Sequence, residues 1–199
     1  MRHSAFVRVT HWITAASFAA LVVSGIAILL AHPRLYWGET GALGAPSLID
    51  LPLPFLLTGQ SGWGRYLHFL SAWTAVLTGA VYIVGGVRTC HFRNDLFRPS
   101  QPAKYNAIQR ITYSGVVFVL FPLMIWTGLA MSPAVTSVVP RLVVALGGQQ
   151  SARTIHFVVA NLLVLFAVGH ILMVTLAGFG RHVGAMILGG EPSAREVQT

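Results

Sequence analysis

Four apolar stretches dominate the chain, and each is long enough to cross a lipid bilayer. They run from about Phe6 to Ala31, Tyr66 to Val87, Ala107 to Met131 and Thr154 to Phe179. A hydrocarbon core about 30 Å thick needs about 20 helical residues. In lipid every backbone N–H and C=O must find its partner within the protein, so stretches of this length are read as helices. The chain is therefore predicted to be an all-α integral membrane four-helix bundle, one domain over residues 1–199 with helices at roughly 6–31, 66–87, 107–131 and 154–179. Pro122, inside the third stretch, lacks a backbone donor and is expected to kink that helix.

Composition agrees with lipid as the solvent. Only 9% of residues are charged and the mean hydropathy is +0.70, whereas a soluble domain carries about 25% charged residues. Arg2 and Arg8 ahead of the first stretch suggest a signal peptide. That apolar region is longer than the usual span of about 7–15 residues and no small-residue cleavage site follows, so it is read as a retained span. The single cysteine, Cys90, excludes a disulfide framework, and no C-x-x-C-H run exists for covalent haem attachment. The net charge of +8 lacks the aromatic–basic interleaving of an RNA-binding surface, so no nucleic acid is expected as a partner.

The connections set the orientation. The N-terminus, the 88–110 connection and the C-terminus hold nine of the Lys and Arg residues; Arg34, Arg65, Arg141 and Arg153 are the four on the opposite side. Positive-inside bias then places both termini in the cytoplasm. Residues 32–65 form a long Gly-, Pro- and Leu-rich loop, expected to lie partly on the membrane surface. The tail after Arg181 is expected to fray.

Four of the eight histidines fall inside the predicted spans: His11, His68, His156 and His170. An ionisable residue in a membrane helix is costly and marks a candidate functional site. His156 and His170 lie fourteen residues apart, which is close to four full turns and a rise of about 21 Å, so they share one face at two depths. With alternating helix directions, His68 meets the level of His156 on the outer side, and His11 meets that of His170 on the inner side. A zinc site needs four ligands at one place. Haem brings its own equatorial nitrogens and asks the protein for axial ligands alone, so two imidazole pairs suit two haems, with no open position for oxygen.

Three of these histidines follow an arginine by one turn: Arg8 in RVTH, Arg65 in RYLH and Arg153 in RTIH. The arginines can hold haem propionates at the membrane surface or act as interfacial anchors. Gly25, on the face of His11 but at the outer level, suits either a flat group pressed against the helix or close helix packing. His3, His32 and His91 are read as solvated. His182 is read as surface charge or as a proton donor near the inner haem.

These residues carry a resemblance. VTHW at 9–12, GRYLHF at 64–69, KYNAIQR at 104–110, TGLAMSP at 127–133 and the H-x13-H of the fourth helix resemble the prokaryotic cytochrome b-561 family. Its members are the diheme four-helix cytochrome b subunits of nickel–iron hydrogenases, formate dehydrogenase and related periplasmic molybdoenzymes. The resemblance implies two haems b that carry electrons across the bacterial inner membrane between a periplasmic oxidoreductase subunit and a quinone, ubiquinone or menaquinone. It also carries the quinone role onto Asn106 and Gln109, with Ile108 narrowing the pocket. From the residues alone, Asn106 reads equally as a helix cap. Some members stand alone as superoxide:quinone oxidoreductases, and the basic outer face serves that reading too. A histidine-relay metal or proton transporter is disfavoured, because the spans carry no Asp or Glu.

Overall fold

The structure is a computed structural model that describes residues 4–41, 45–51, 61–88 and 107–189. Four long apolar helical segments form the body of the molecule: Ala5–Ala31, Gly62–Arg88, Ile111–Ala130 and Gln149–Leu176. In chain order the elements are α1 (Ala5–Ala31), strands β1 (Arg34–Leu35) and β2 (Ile49–Asp50), α2 (Ser61–Arg88), α3 (Ala107–Gly115), a π-helical turn (Val116–Leu120), α4 (Phe121–Ala130), α5 (Pro133–Thr136), α6 (Arg141–Val144), α7 (Gln149–Leu176) and α8 (Phe179–Leu188).

The second and fourth helices begin earlier than apolarity suggests, at Ser61 and Gln149. Hydropathy marks the part of a helix that lies in lipid, whereas the hydrogen-bonded ladder continues into the polar interface. The distortion expected from Pro122 takes the form of the π turn just before it. The N–H of Phe121 bonds to the carbonyl of Val116 rather than to residue 117, a widening that accommodates a residue with no N–H to give. Pro133 opens α5 and Pro140 caps α6, positions where a missing N–H costs nothing.

The bundle is built from two antiparallel pairs. α1 packs along α2 and α4 packs along α7, while backbone approaches between the two pairs are sparse. Side chains are arranged inside out relative to a soluble bundle. Many buried positions are small or hydroxylated, among them Thr10, Ser17, Ser24, Ala27, Ser71, Thr127 and Ala130, beside an aliphatic cluster of Val116, Val159 and Leu163. Large apolar groups such as Leu77, Leu165 and Ile171 face outward. Lipid tails are as apolar as leucine, so helix contacts form where small residues let backbones close in, and the bulky side chains turn to the lipid.

Two terminal features position the functional region. β1 and β2 pair antiparallel, Arg34 opposite Asp50, with an ion pair of 3.2 Å between those exposed side chains. Just after β1 the chain crosses the start of α7: the Gly38 carbonyl accepts from the N–H groups of Gln150 (2.9 Å) and Ser151 (3.3 Å), and its N–H donates to Ser151 Oγ at 2.8 Å. Two otherwise orphan donors of the helix are thereby satisfied. At the other end the chain breaks at Gly178, φ 106°, and continues as α8, so the tail does not fray immediately after Arg181. The segment VGAMIL, residues 183–188, is apolar enough to stay helical against the bundle. Its carbonyls accept from Arg8 Nη1 (2.8 Å, Ile187) and Trp12 Nε1 (3.1 Å, Met186).

Candidate functional site

The two antiparallel pairs bring the four span histidines together in twos, across the space between them. The rings of His68 (α2) and His156 (α7) have centroids 6.3 Å apart at an interplanar angle of 59°. Those of His11 (α1) and His170 (α7) stand 6.4 Å apart at 63°. Among the described residues no group of three His, Cys, Asp or Glu side chains converges, so each site offers two imidazoles and no further donors of those types. A metal held between two imidazole nitrogens at about 2 Å each, with ring centres about 1.2 Å further out, would separate the centroids by about 6.4 Å. Both pairs fit one iron each. The sparse contact between the helix pairs leaves room for the flat macrocycle around it.

The outer pair has a built surround. His68 Nδ1 lies 3.0 Å from Ser24 Oγ of α1, and His156 Nδ1 lies 2.8 Å from Thr127 Oγ1 of α4. Each hydroxyl also bonds its own helix, Ser24 to the Ala20 carbonyl at 2.7 Å and Thr127 to the Leu123 carbonyl at 2.9 Å. With Nδ1 engaged in both rings, Nε2 is the nitrogen left for a metal. The residue after each hydroxyl is glycine: a Cβ at Gly25 would stand 3.7 Å from His68 Cε1, and one at Gly128 would stand 3.7 Å from His156 Cε1. Gly25 therefore sits at the outer level, where its spacing from His11 puts it.

Above the outer pair the chain is basic. Arg153 Nη2 donates to the backbone carbonyl of His32, and Thr154 Oγ1 donates to the Tyr36 carbonyl at 2.7 Å. Burial, then the charges of Arg153 and Arg65, hold the His32 imidazole below its ordinary value. His32, read from the sequence as a solvated ring, is exposed and stands as a neutral imidazole within the field of Arg65 and Arg153.

The inner pair meets other surroundings. Arg8, one turn before His11, uses Nη1 on α8, yet its Nε is shielded from solvent with no hydrogen-bond partner. An orphaned guanidinium donor at this place fits an anionic group such as a propionate. Phe166 stacks on His170 at 6.0 Å and meets Tyr113 edge-on at 5.9 Å. Beside these rings, Thr112, Gly115, Val116, Val119, Leu162 and Phe166 are among the residues that line an apolar groove of about 500 Å³ between the third span and α7. Gln109 lies in the first turn of α3; Asn106 and Lys104 lie outside the described residues. His182 is exposed on α8.

Sequence reasoning gave Ser24, Thr127 and Gly128 no role at the site, although Thr127 and Gly128 open the TGLAMSP stretch. A recurring signal was present: a hydroxyl residue followed by glycine at 24–25 and again at 127–128, each on a helix next to one bearing a histidine.

Residues 2–189 match the prokaryotic cytochrome b561 family. The chain is also similar to a curated protein of Azospira oryzae described as a putative protein-methionine-sulfoxide reductase subunit, YedZ1. The two are 28% identical over 211 residues, covering 94% of this chain and 96% of the relative. No solved structure matches.

Proposed function

Because the chain belongs to the prokaryotic cytochrome b561 family, multi-pass membrane proteins that hold haem b and carry electrons, we propose that it is a diheme conduit through a bacterial inner membrane. His68 and His156 are the axial ligands of an outer haem, and His11 and His170 those of an inner one. The observation that carries this reading is the twofold occurrence of paired imidazoles at 6.3 and 6.4 Å, one pair near each end of the bundle. The haems, when bound, supply reversible one-electron chemistry. The chain's own residues do the rest. Paired histidines complete the coordination and exclude an open position for oxygen. Buried hydroxyls orient the outer rings. Arg8, Arg65 and Arg153 offset propionate charge, and the apolar walls keep water from the corridor.

The partners follow from the two ends. With both termini in the cytoplasm, as the Lys and Arg distribution suggests, the cationic pair Arg65 and Arg153, with His32 beside it, faces the periplasm. An oxidoreductase subunit docks there, in keeping with the Azospira relative's name as a reductase subunit; a periplasmic molybdoenzyme is the partner class that the family implies. The same cluster suits a small anionic one-electron donor, so superoxide:quinone oxidoreduction is the second reading. On the inner side Asn106 and Gln109 hydrogen-bond a quinone headgroup. The Tyr113–Phe166–His170 series and its adjoining groove support a site of that kind next to the inner ligand.

Two variants test the reading. Replacing His68 with Ala should remove the outer haem and leave the inner one, while His11→Ala should do the reverse, as read from reduced-minus-oxidised spectra. A His68→Ala protein that keeps both haems overturns the ligand assignment. For the quinone, Gln109→Leu should slow electron exchange between the inner haem and quinone at least tenfold in stopped-flow measurements, a loss of about 1.4 kcal/mol. Absorption spectra should be unchanged. Wild-type exchange would place the quinone elsewhere.

A further inference from the structure

We propose that Ser24 and Thr127 are positioning residues of the outer haem. Each receives the ring N–H of one axial histidine, commits Nε2 to the iron, and fixes the plane in which that ring stands. The proposal rests on the assignment of His68 and His156 as ligands and adds what sets their tautomer, tilt and donor strength.

A hydroxyl carries one proton. In Ser24 it is directed to the Ala20 carbonyl at 2.7 Å, and in Thr127 to the Leu123 carbonyl at 2.9 Å. Towards the imidazole each oxygen can then only accept, so the ring nitrogen facing it, Nδ1, must be the protonated one. The chain of bonds reads from Nδ1–H to hydroxyl to backbone carbonyl, and each link polarises the next. Both hydroxyl residues are fully buried at 0% exposure. Water therefore cannot replace them, and deleting either leaves a buried N–H without a partner.

The arrangement is repeated in the two halves of the bundle. In each, the hydroxyl comes from the helix packed against the one that bears the histidine, α1 for α2 and α4 for α7. Rotation of either ring about its Cβ–Cγ bond would break its bond to the hydroxyl. The 59° between the two ring planes is thus a property held by Ser24 and Thr127. An acceptor on Nδ1–H also makes Nε2 a stronger donor to the metal. Stronger donation favours ferric over ferrous iron and lowers the potential of the outer haem. The inner haem, about 21 Å away along α7, is outside the reach of these bonds.

The test uses the full-length protein loaded with haem, in which low-spin ferric electron paramagnetic resonance reports the ring-plane angle and a redox titration reports each potential. In Ser24→Ala and Thr127→Val the outer signal should move and the outer potential should rise, while the inner signal and potential stay as in wild type. Ser24→Thr and Thr127→Ser, which keep the hydroxyl, should restore wild-type values. Unchanged outer signals in the hydroxyl-free variants overturn the proposal. So do hydroxyl-keeping variants that shift as far as the others, because packing volume would then be the cause. If a hydroxyl-free variant loses the outer haem altogether, the hydroxyl-keeping variant decides by the same criterion. Failure here, with His68→Ala still losing the outer haem, leaves the ligand assignment intact.

Discussion

His32 illustrates how much of a site depends on single side chains meeting across the chain. Its backbone carbonyl receives Arg153, and its ring feels both Arg153 and Arg65. Burial first, and then these two charges, lower its pKa from 6.5. The folded protein therefore takes up this proton later than the unfolded chain as pH falls. The contribution of His32 to stability is complete above pH 6.5 and is lost as pH falls below that value. In the proposed diheme arrangement, protonation also adds a third positive charge beside the outer haem, next to Arg65 and Arg153. Spectroelectrochemical titration should show the outer potential rising as pH is lowered below 6.5, with the inner potential unaffected by this group. His32→Gln should remove that step. The span histidines were legible in the sequence because ionisable rings stand out in apolar runs, and helical arithmetic assigns them depths. Ser24 and Thr127 were not, since hydroxyl residues in membrane helices commonly bond their own backbone, and only the folded chain reveals their second partner. His32 is exposed, as its sequence position suggested, but its meeting with Arg153, 121 residues away, arises only through the fold.

The elements explain why the outer site is held firmly. α7 carries one member of each histidine pair, and its first turn is tied to the loop after β1 through Gly38. Gly148, just before the helix, has φ 114°, and a Cβ there would collide with the Gly38 oxygen. Both the backbone conformation and the contact demand glycine. Gly148→Ala should cost about 1–3 kcal/mol, seen as a lower Tm in detergent, with the outer haem lost before the inner one on heating. An unchanged Tm would mean that this junction bears no part of the stability. At this scale the sequence reveals which segments lie in lipid better than where each helix starts. Ser61 and Gln149 begin helices well before the apolar residues do. α8 escapes notice because its short apolar run follows a break at Gly178 and gains its helicity from contact with Arg8 and Trp12.

As a whole the molecule is two antiparallel helix pairs facing each other across a space that histidines enter from both sides. Lipid-facing bulk and a small, hydroxylated interior follow directly from the apolar solvent, and so does the absence of Asp and Glu from the spans. In the proposed orientation, taken from the uneven distribution of Lys and Arg, one histidine pair lies towards the periplasm and one towards the quinone side. Length, hydropathy and histidine spacing carry this architecture because membrane helices are constrained by bilayer thickness and by backbone satisfaction. Electron passage through such a bundle depends on two redox centres at separate depths, and that is the claim on which the account stands. The most direct test is the molar ratio of haem b to polypeptide in the purified, fully loaded wild-type protein, measured by pyridine haemochrome assay against quantitative amino-acid analysis. The account predicts a ratio of two, falling to one in His68→Ala and in His11→Ala; a ratio of one in the wild-type protein would contradict it.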